Sequence, residues 1–156
     1  MTQRQQYLNN LPKKISSAGA LFYNANWEVL LLETSYKEDL EIPGWIIEQG
    51  ESPKQAAERE VQEELWIEIS LWKLLVCEYQ ITDEFECYAF IFDGGILNQA
   101  QIDSFRLWES EIKQLHFLDK DHLWDNIQPQ LTHRIQKSVV AKEWKTTLYY
   151  ETDYKK

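Results

Sequence analysis

The chain reads as a layered α/β domain, and three observations predict it. Short apolar runs within residues 15–34 and 67–95 are separated by turn signals, as strands are. Two longer segments, 53–65 and 129–144, repeat apolar residues every four positions, as the buried faces of helices do. No repeat, low-complexity stretch or linker divides the 156 residues, so a single α+β or layered α/β/α domain spanning 1–156 is expected.

The elements follow in order. Residues 1–14 form an N-terminal arm with no apolar run, so no signal peptide is read there. "ISSAGALFY" (15–23) and "EVLLLET" (28–34) are strands joined by the turn "NANW". Residues 35–44 are a loop whose Pro43-Gly44 pair marks a tight turn, "WIIE" is a short extended piece, and "QGE" turns again. Ser52 is a good helix N-cap, Pro53 suits the first helical position, and Gln55 completes a capping box. The helix it opens runs over 53–65, with Ala57, Val61 and Leu65 as its buried stripe. Residues 67–80 and 84–95 are two strands about a turn at Thr82-Asp83. "IKQLHFL" (112–118) is another strand, "DKDHLW" (119–124) a polar helical start, 129–144 an amphipathic helix and "TTLYYET" (146–152) a last strand.

Composition narrows the function. A net charge of −10 argues against nucleic acid as a partner, because polynucleotides attract basic patches. It also means that a polyphosphate must arrive with divalent cations. No run is long enough to span a bilayer, so no membrane partner is expected and a soluble, cytoplasmic protein is. Cys77 and Cys87 read as two buried free thiols, and His116, His122 and His133 lack metal-ligand spacing.

The chemistry concentrates in "REVQEELW", residues 59–66. Glu60, Glu63 and Glu64 are spaced i, i+3 and i+4, which places three carboxylates on one helix face. Their mutual repulsion is offset in part by Arg59, four before Glu63. Either the cluster is a solvated acidic face, or it is a site for hard divalent cations, which take several oxygens from a rigid element.

The segment "GWIIEQGESPKQAAEREVQEELWI" resembles the signature of the Nudix (MutT-like) hydrolases: G, five free positions, E, seven free positions, then R-E-U-x-E-E-x-G-U, with U aliphatic. Glu51, Arg59, Glu60, Val61, Glu63, Glu64 and Ile67 fall on its positions, and the box spans 45–67. The resemblance implies an α/β/α sandwich with a mixed β-sheet. It implies Mg²⁺ or Mn²⁺ held by Glu60, Glu63, Glu64 and the Gly44 carbonyl, with Glu60 also placed to activate water. Glu51 and Arg59 then brace the loop, with Arg59 beside the catalytic carboxylates. A later-loop glutamate, Glu109 or Glu111, is a further candidate base or ligand. The substrate is expected to be a nucleotide-type small molecule, and a homodimer is compatible with the resemblance.

Two signature glycines are missing. Trp45 stands at the first and Trp66 at the second, and Trp27 occupies a hairpin position that favours glycine. Glycine occurs 5 times, where ordinary usage would give about 11, and tryptophan 7 times. The intact carboxylates point to a Mg²⁺-dependent hydrolase that splits a phosphoanhydride by attack of water on phosphorus. The lost glycines point to an impaired Nudix-fold protein that binds a nucleotide or a partner.

Overall fold

A computed structural model describes residues 1–108, 110–123 and 127–155. The elements are α1 (Gln3–Asn9), β1 (Ile15–Tyr23), β2 (Glu28–Thr34), β3 (Gly44–Ile46), α2 (Pro53–Leu65), β4 (Leu74–Ile81), β5 (Glu86–Ile96), α3 (Gln99–Ser104), β6 (Ile112–Asp119), α4 (Pro129–Glu143) and β7 (Leu148–Asp153). The sheet is mixed, in the order β6-β2-β1-β5-β4-β7, and β3 pairs with β1 off this path. β1 runs parallel to β5 and β4 parallel to β7, while β2–β6, β4–β5 and β1–β3 are antiparallel.

Strand alternation builds two cores, one on each face of the sheet. Ala18, Ala20 and Phe22 of β1, with Leu30 and Leu32 of β2, pack against Ala56, Ala57, Val61 and Leu65 of α2. Leu21 and Tyr23, with Val29 and Leu31, pack on the other face against Leu131, Ile135 and Ala141 of α4. Because β1 and β2 are covered on both faces, they read as nearly continuous apolar runs. The expected α/β/α sandwich is the observed architecture.

Several expectations are corrected. Residues 67–73 are not strand. Ile67, Ile69 and Leu71 do face the α2-side core, but the ladder with β5 starts at Leu74↔Phe92. The Leu71 N–H is instead taken by Glu58 Oε1 at 2.7 Å. In the polar start at 119–124, Asp119 closes β6 and residues 120–121 turn, because Asp119 Oδ1 accepts from the Asp121 N–H (2.8 Å) and competes with helix. Trp124 lies outside the described residues. Helices α1 and α3 were not anticipated, although each opens on a capping box, Thr2 with Gln5 and Asn98 with Gln101. Both cysteines are free, and Cys87 is buried, but Cys77 is only half-buried.

Trp27 and Trp66 adopt left-handed backbone, with φ of 62° and 57°. Trp66 is the C-cap of α2, its N–H bonded to the Gln62 carbonyl. Trp45 differs. It is a β3 residue paired with Ala18, and the left-handed position beside it belongs to Gly44 (φ 138°). A Cβ on Gly44 would lie 2.3 Å from the Ala18 carbonyl oxygen. Gly44→Ala is therefore expected to lower the urea midpoint, at a cost of about 1–3 kcal/mol, with an unchanged m-value.

Candidate active site

The site lies where β1, β3 and the last turns of α2 meet. β3 is laid onto β1 through Ser17↔Ile46, Ala18↔Trp45 and Gly19↔Gly44, which fixes Gly44 over the α2 face. The loop between β3 and α2 closes on itself: Glu51 Oε2 accepts the Glu48 N–H (3.0 Å), and Gly50 supplies the positive φ of the turn. Ser52 then caps α2, with the reciprocal Gln55 bond present.

Arg59 ties this loop to the helix. Its Nε and Nη2 grip Glu51 at 2.7 and 3.1 Å, and Nη2 also reaches the Ile46 carbonyl at 3.4 Å. Its Nη1 donates to Glu60 (2.6 Å) and Glu63 (3.3 Å). Glu51 is held below its usual carboxylate range by the Arg59 hydrogen bonds, and Arg59 is driven further from deprotonation by the same contacts. This ion pair joins the loop to the helix.

The three helix carboxylates differ. Glu63 is the outermost. Glu60 and Glu64 are buried, each only 8 % exposed. Burial raises the Glu60 pKa, and the Arg59 guanidinium opposes that rise. Among the described residues Glu64 has no cationic partner. Burial and then the Glu60 charge push it up to about 8, and only the Gly44 N–H, donated to its Oε2 at 3.1 Å, works the other way.

Glu111 belongs to this cluster, since its charge acts on both Glu60 and Glu64. It is delivered by the loop before β6, whose Glu111 carbonyl accepts the Ser35 N–H (2.7 Å) while Ser110 accepts the Ser35 hydroxyl (2.7 Å). Glu109 lies outside the described residues. Sequence reasoning missed Glu41, which also acts on Glu64 and is bridged to Leu32. No local spacing marks it, because the loop 35–43 between β2 and β3 brings it in. The Tyr36 hydroxyl is raised by burial and by Glu64, Glu41 and Glu111, so four acidic or phenolic groups converge here.

Among the described residues, no three His, Cys, Asp or Glu side chains stand at metal-holding spacing. The geometry explains why: Arg59 Nη1 sits between Glu60 and Glu63 in the place of a cation, and Glu64 is turned to Gly44. The donor set suits a hard divalent ion, with two buried carboxylates of which Glu60 leans on Arg59 and Glu64 has no cation beside it among the described residues.

Beside Gly44 a cavity of about 350 Å³ opens on the α4 side. Trp45 and Lys37 stand at its wall, with Lys37 Nζ 5.3 Å from the indole and Tyr36 edge-on to it at 6.2 Å. The Trp45 side chain is half exposed and occupies the rim.

A layered sandwich with this braced carboxylate helix is the architecture of one hydrolase class, and the comparisons agree. The model for the NUDIX domain matches residues 13–141, and the chain belongs to that family of hydrolases. Similar solved structures include a MutT protein from Methanosarcina mazei Go1 (TM-score 0.68, 22 % identity, 87 % of this chain and 99 % of that one). A UDP-X diphosphatase superposes with a TM-score of 0.74 at 16 % identity, over 97 % of this chain and 76 % of the other. A C. elegans Ap4A hydrolase gives 0.65 at 19 % identity, over 83 % and 98 %. No curated protein matches this chain in sequence.

Proposed function

We propose that this chain is a divalent-cation-dependent pyrophosphohydrolase acting on a nucleoside diphosphate derivative or nucleotide. The observation that carries it is the pair of buried carboxylates, Glu60 and Glu64, without full cationic compensation beside a ligand-sized cavity. Glu60, Glu63, Glu64 and the Gly44 carbonyl would hold Mg²⁺ or Mn²⁺, with Glu111 as a further ligand or base. When bound, the ion neutralises phosphate charge and acidifies water.

The chain's own residues do the rest. Arg59 keeps its bidentate grip on Glu51 and releases Glu60 and Glu63, so the loop stays in place while the carboxylates become available. Glu60, freed of that guanidinium, accepts the proton of the attacking water. Gly44, without a side chain, lets β3 lie close on β1, which keeps its carbonyl in place. The two structures named for dissimilar nucleotide substrates share this fold, so the substrate is read by residues outside the helix.

The test is turnover of ADP-ribose, nucleoside triphosphates, dinucleoside polyphosphates and nucleotide sugars with Mg²⁺ or Mn²⁺. Release of a phosphorylated product that chelator abolishes is expected. Absence of turnover on every one, with nucleotide binding retained, would favour the impaired reading instead.

A further inference from the structure

The N-terminal arm and one part of the sheet are both left without packing. Helix α1 opens on a complete capping box, yet every residue from Met1 to Ile15 is exposed. A helix of 7 residues is not stable by itself in water, because so few hydrogen bonds cannot offset the cost of nucleation. It needs a surface to lie on. Tyr7 and Leu8 fall three and four residues after Arg4, on one side of the helix. Leu11, whose N–H reaches the Leu8 carbonyl at 3.4 Å, follows one turn further on the same side.

The sheet offers such a surface. Helix α2 packs over β1 and β3, and no comparable helical cover reaches the same face of β4 and β7 among the described residues. The pairings Cys77↔Phe90, Tyr79↔Tyr88 and Cys77↔Tyr149 place those side chains together on that face. The rings meet there: Tyr79 and Tyr88 lie 5.0 Å apart, and Tyr88 stacks on Phe90 at 6.4 Å. Tyr149 is 59 % exposed. Glu86, Glu151 and Asp153 share the face as an acidic rim, through Ile81↔Glu86, Tyr79↔Glu151 and Ile81↔Asp153.

Arm and face are complementary. Residues 1–14 hold Arg4, Lys13 and Lys14 and no acidic residue, in a chain of net charge −10. Lys14 already marks the edge of the face, where its ammonium pairs with Glu86 and stands 5.5 Å from the Tyr79 ring centre. The lengths match as well. Seven helical residues span about 10 Å, which is two strand spacings of about 4.8 Å and so the width from β5 to β7. In a single copy the exposed arm does not occupy its own face. Two copies that exchange arms cover both faces at once, in a closed two-fold contact.

We propose that this chain forms a two-fold dimer in which the arm of each copy, residues 1–14, docks on the β5-β4-β7 face of the other. Tyr7, Leu8 and Leu11 lie against the tyrosine and phenylalanine rings, and the basic residues of the arm meet the acidic rim. None of these residues belongs to the carboxylate site, so the contact does not depend on the hydrolase reading.

The experiment is sedimentation equilibrium of the full chain and of two variants. The wild type is expected at twice the mass of the chain. Tyr7→Ser with Leu8→Ser removes the apolar side of the arm, and Tyr149→Lys sets a cation on the face against a basic arm. Both change exposed positions, so both variants fold. Each is expected to raise the dimer dissociation constant at least about 10-fold. An equimolar mixture of the two variants restores one sound arm on one sound face per pair, and is expected to associate more tightly than either variant alone. A wild type that stays monomeric at about 100 μM overturns the proposal. A dimer unmoved by the arm variant is built on another surface, and a mixture no tighter than its parts shows each arm serving its own copy. Either result overturns the exchange.

Discussion

Glu64→Gln is expected to lower turnover by at least about 10²-fold, the scale on which one preorganised electrostatic contact acts. The same change is expected to make the metal-free protein more stable at pH 8. Both follow from the position of this side chain, buried behind β3 with the Gly44 N–H as its only hydrogen-bond donor among the described residues. Glutamine still offers an oxygen to that N–H, so the β3 contact survives. Lost are the charge that would hold a cation and its repulsion with Glu60, Glu111 and Glu41.

The sign of the pH dependence follows from the raised value. Burial and the neighbouring carboxylates push folded Glu64 up to about 8, above the ordinary 4.5 of a glutamate in the unfolded chain. Between these the folded state binds more protons, so stability contributed by this group is present at low pH and lost as pH rises through the window. In thermal melts without metal, the advantage of Glu64→Gln should be near zero at pH 5 and grow toward pH 8. Added Mn²⁺ should then raise the wild-type melting temperature more than that of the variant. A variant that melts lower than wild type at pH 8 without metal would show that Glu64 is compensated, and would withdraw its role as a cation ligand.

How much of this was legible in sequence depends on how local each cause is. The capped helix α2 and strands β1 and β2 follow from caps and apolar runs within a few residues, and their bounds were read correctly. The pairing of Arg59 with Glu51 was expected only from the resemblance to the Nudix signature, and the two side chains do meet. Strand β4 was started too early, since Ile67, Ile69 and Leu71 alternate toward a core without pairing, and alternation alone cannot distinguish the two. Glu41, Arg134 and Gln80 were not legible. They reach the site or the cavity through a loop, a helix and a strand far apart in the chain, and only the strand order brings them together.

Trp27→Gly with Trp66→Gly is expected to raise the melting temperature by several degrees. A non-glycine residue in left-handed backbone costs about 1–2 kcal/mol, so relief at two distant sites is about 2–4 kcal/mol, and each 1 kcal/mol shifts a domain of this size by about 2–4 °C. Packing offers little to set against this at Trp66, which is 66 % exposed. Trp27 is half exposed and keeps one contact, with the Tyr23 ring at 5.5 Å, so its share of the gain should be smaller. The pattern extends beyond these two. All six described tryptophans are 44–85 % exposed, although tryptophan is ordinarily among the better-buried side chains. Two of them occupy the glycine positions of the Nudix signature, and glycine and tryptophan together number 12, close to the usage expected of glycine alone. Trp27 and Trp66 thus stand at glycine positions by their backbone, and Trp45 and Trp66 by the signature. A codon read as tryptophan in one cell and as glycine in another would place indoles in this way. Peptide mass spectrometry of the protein from its source cells is then expected to find glycine at residues 27, 45 and 66. Tryptophan found there, together with a fall in melting temperature on Trp66→Gly, would show instead that the indoles are packed parts of the native surface.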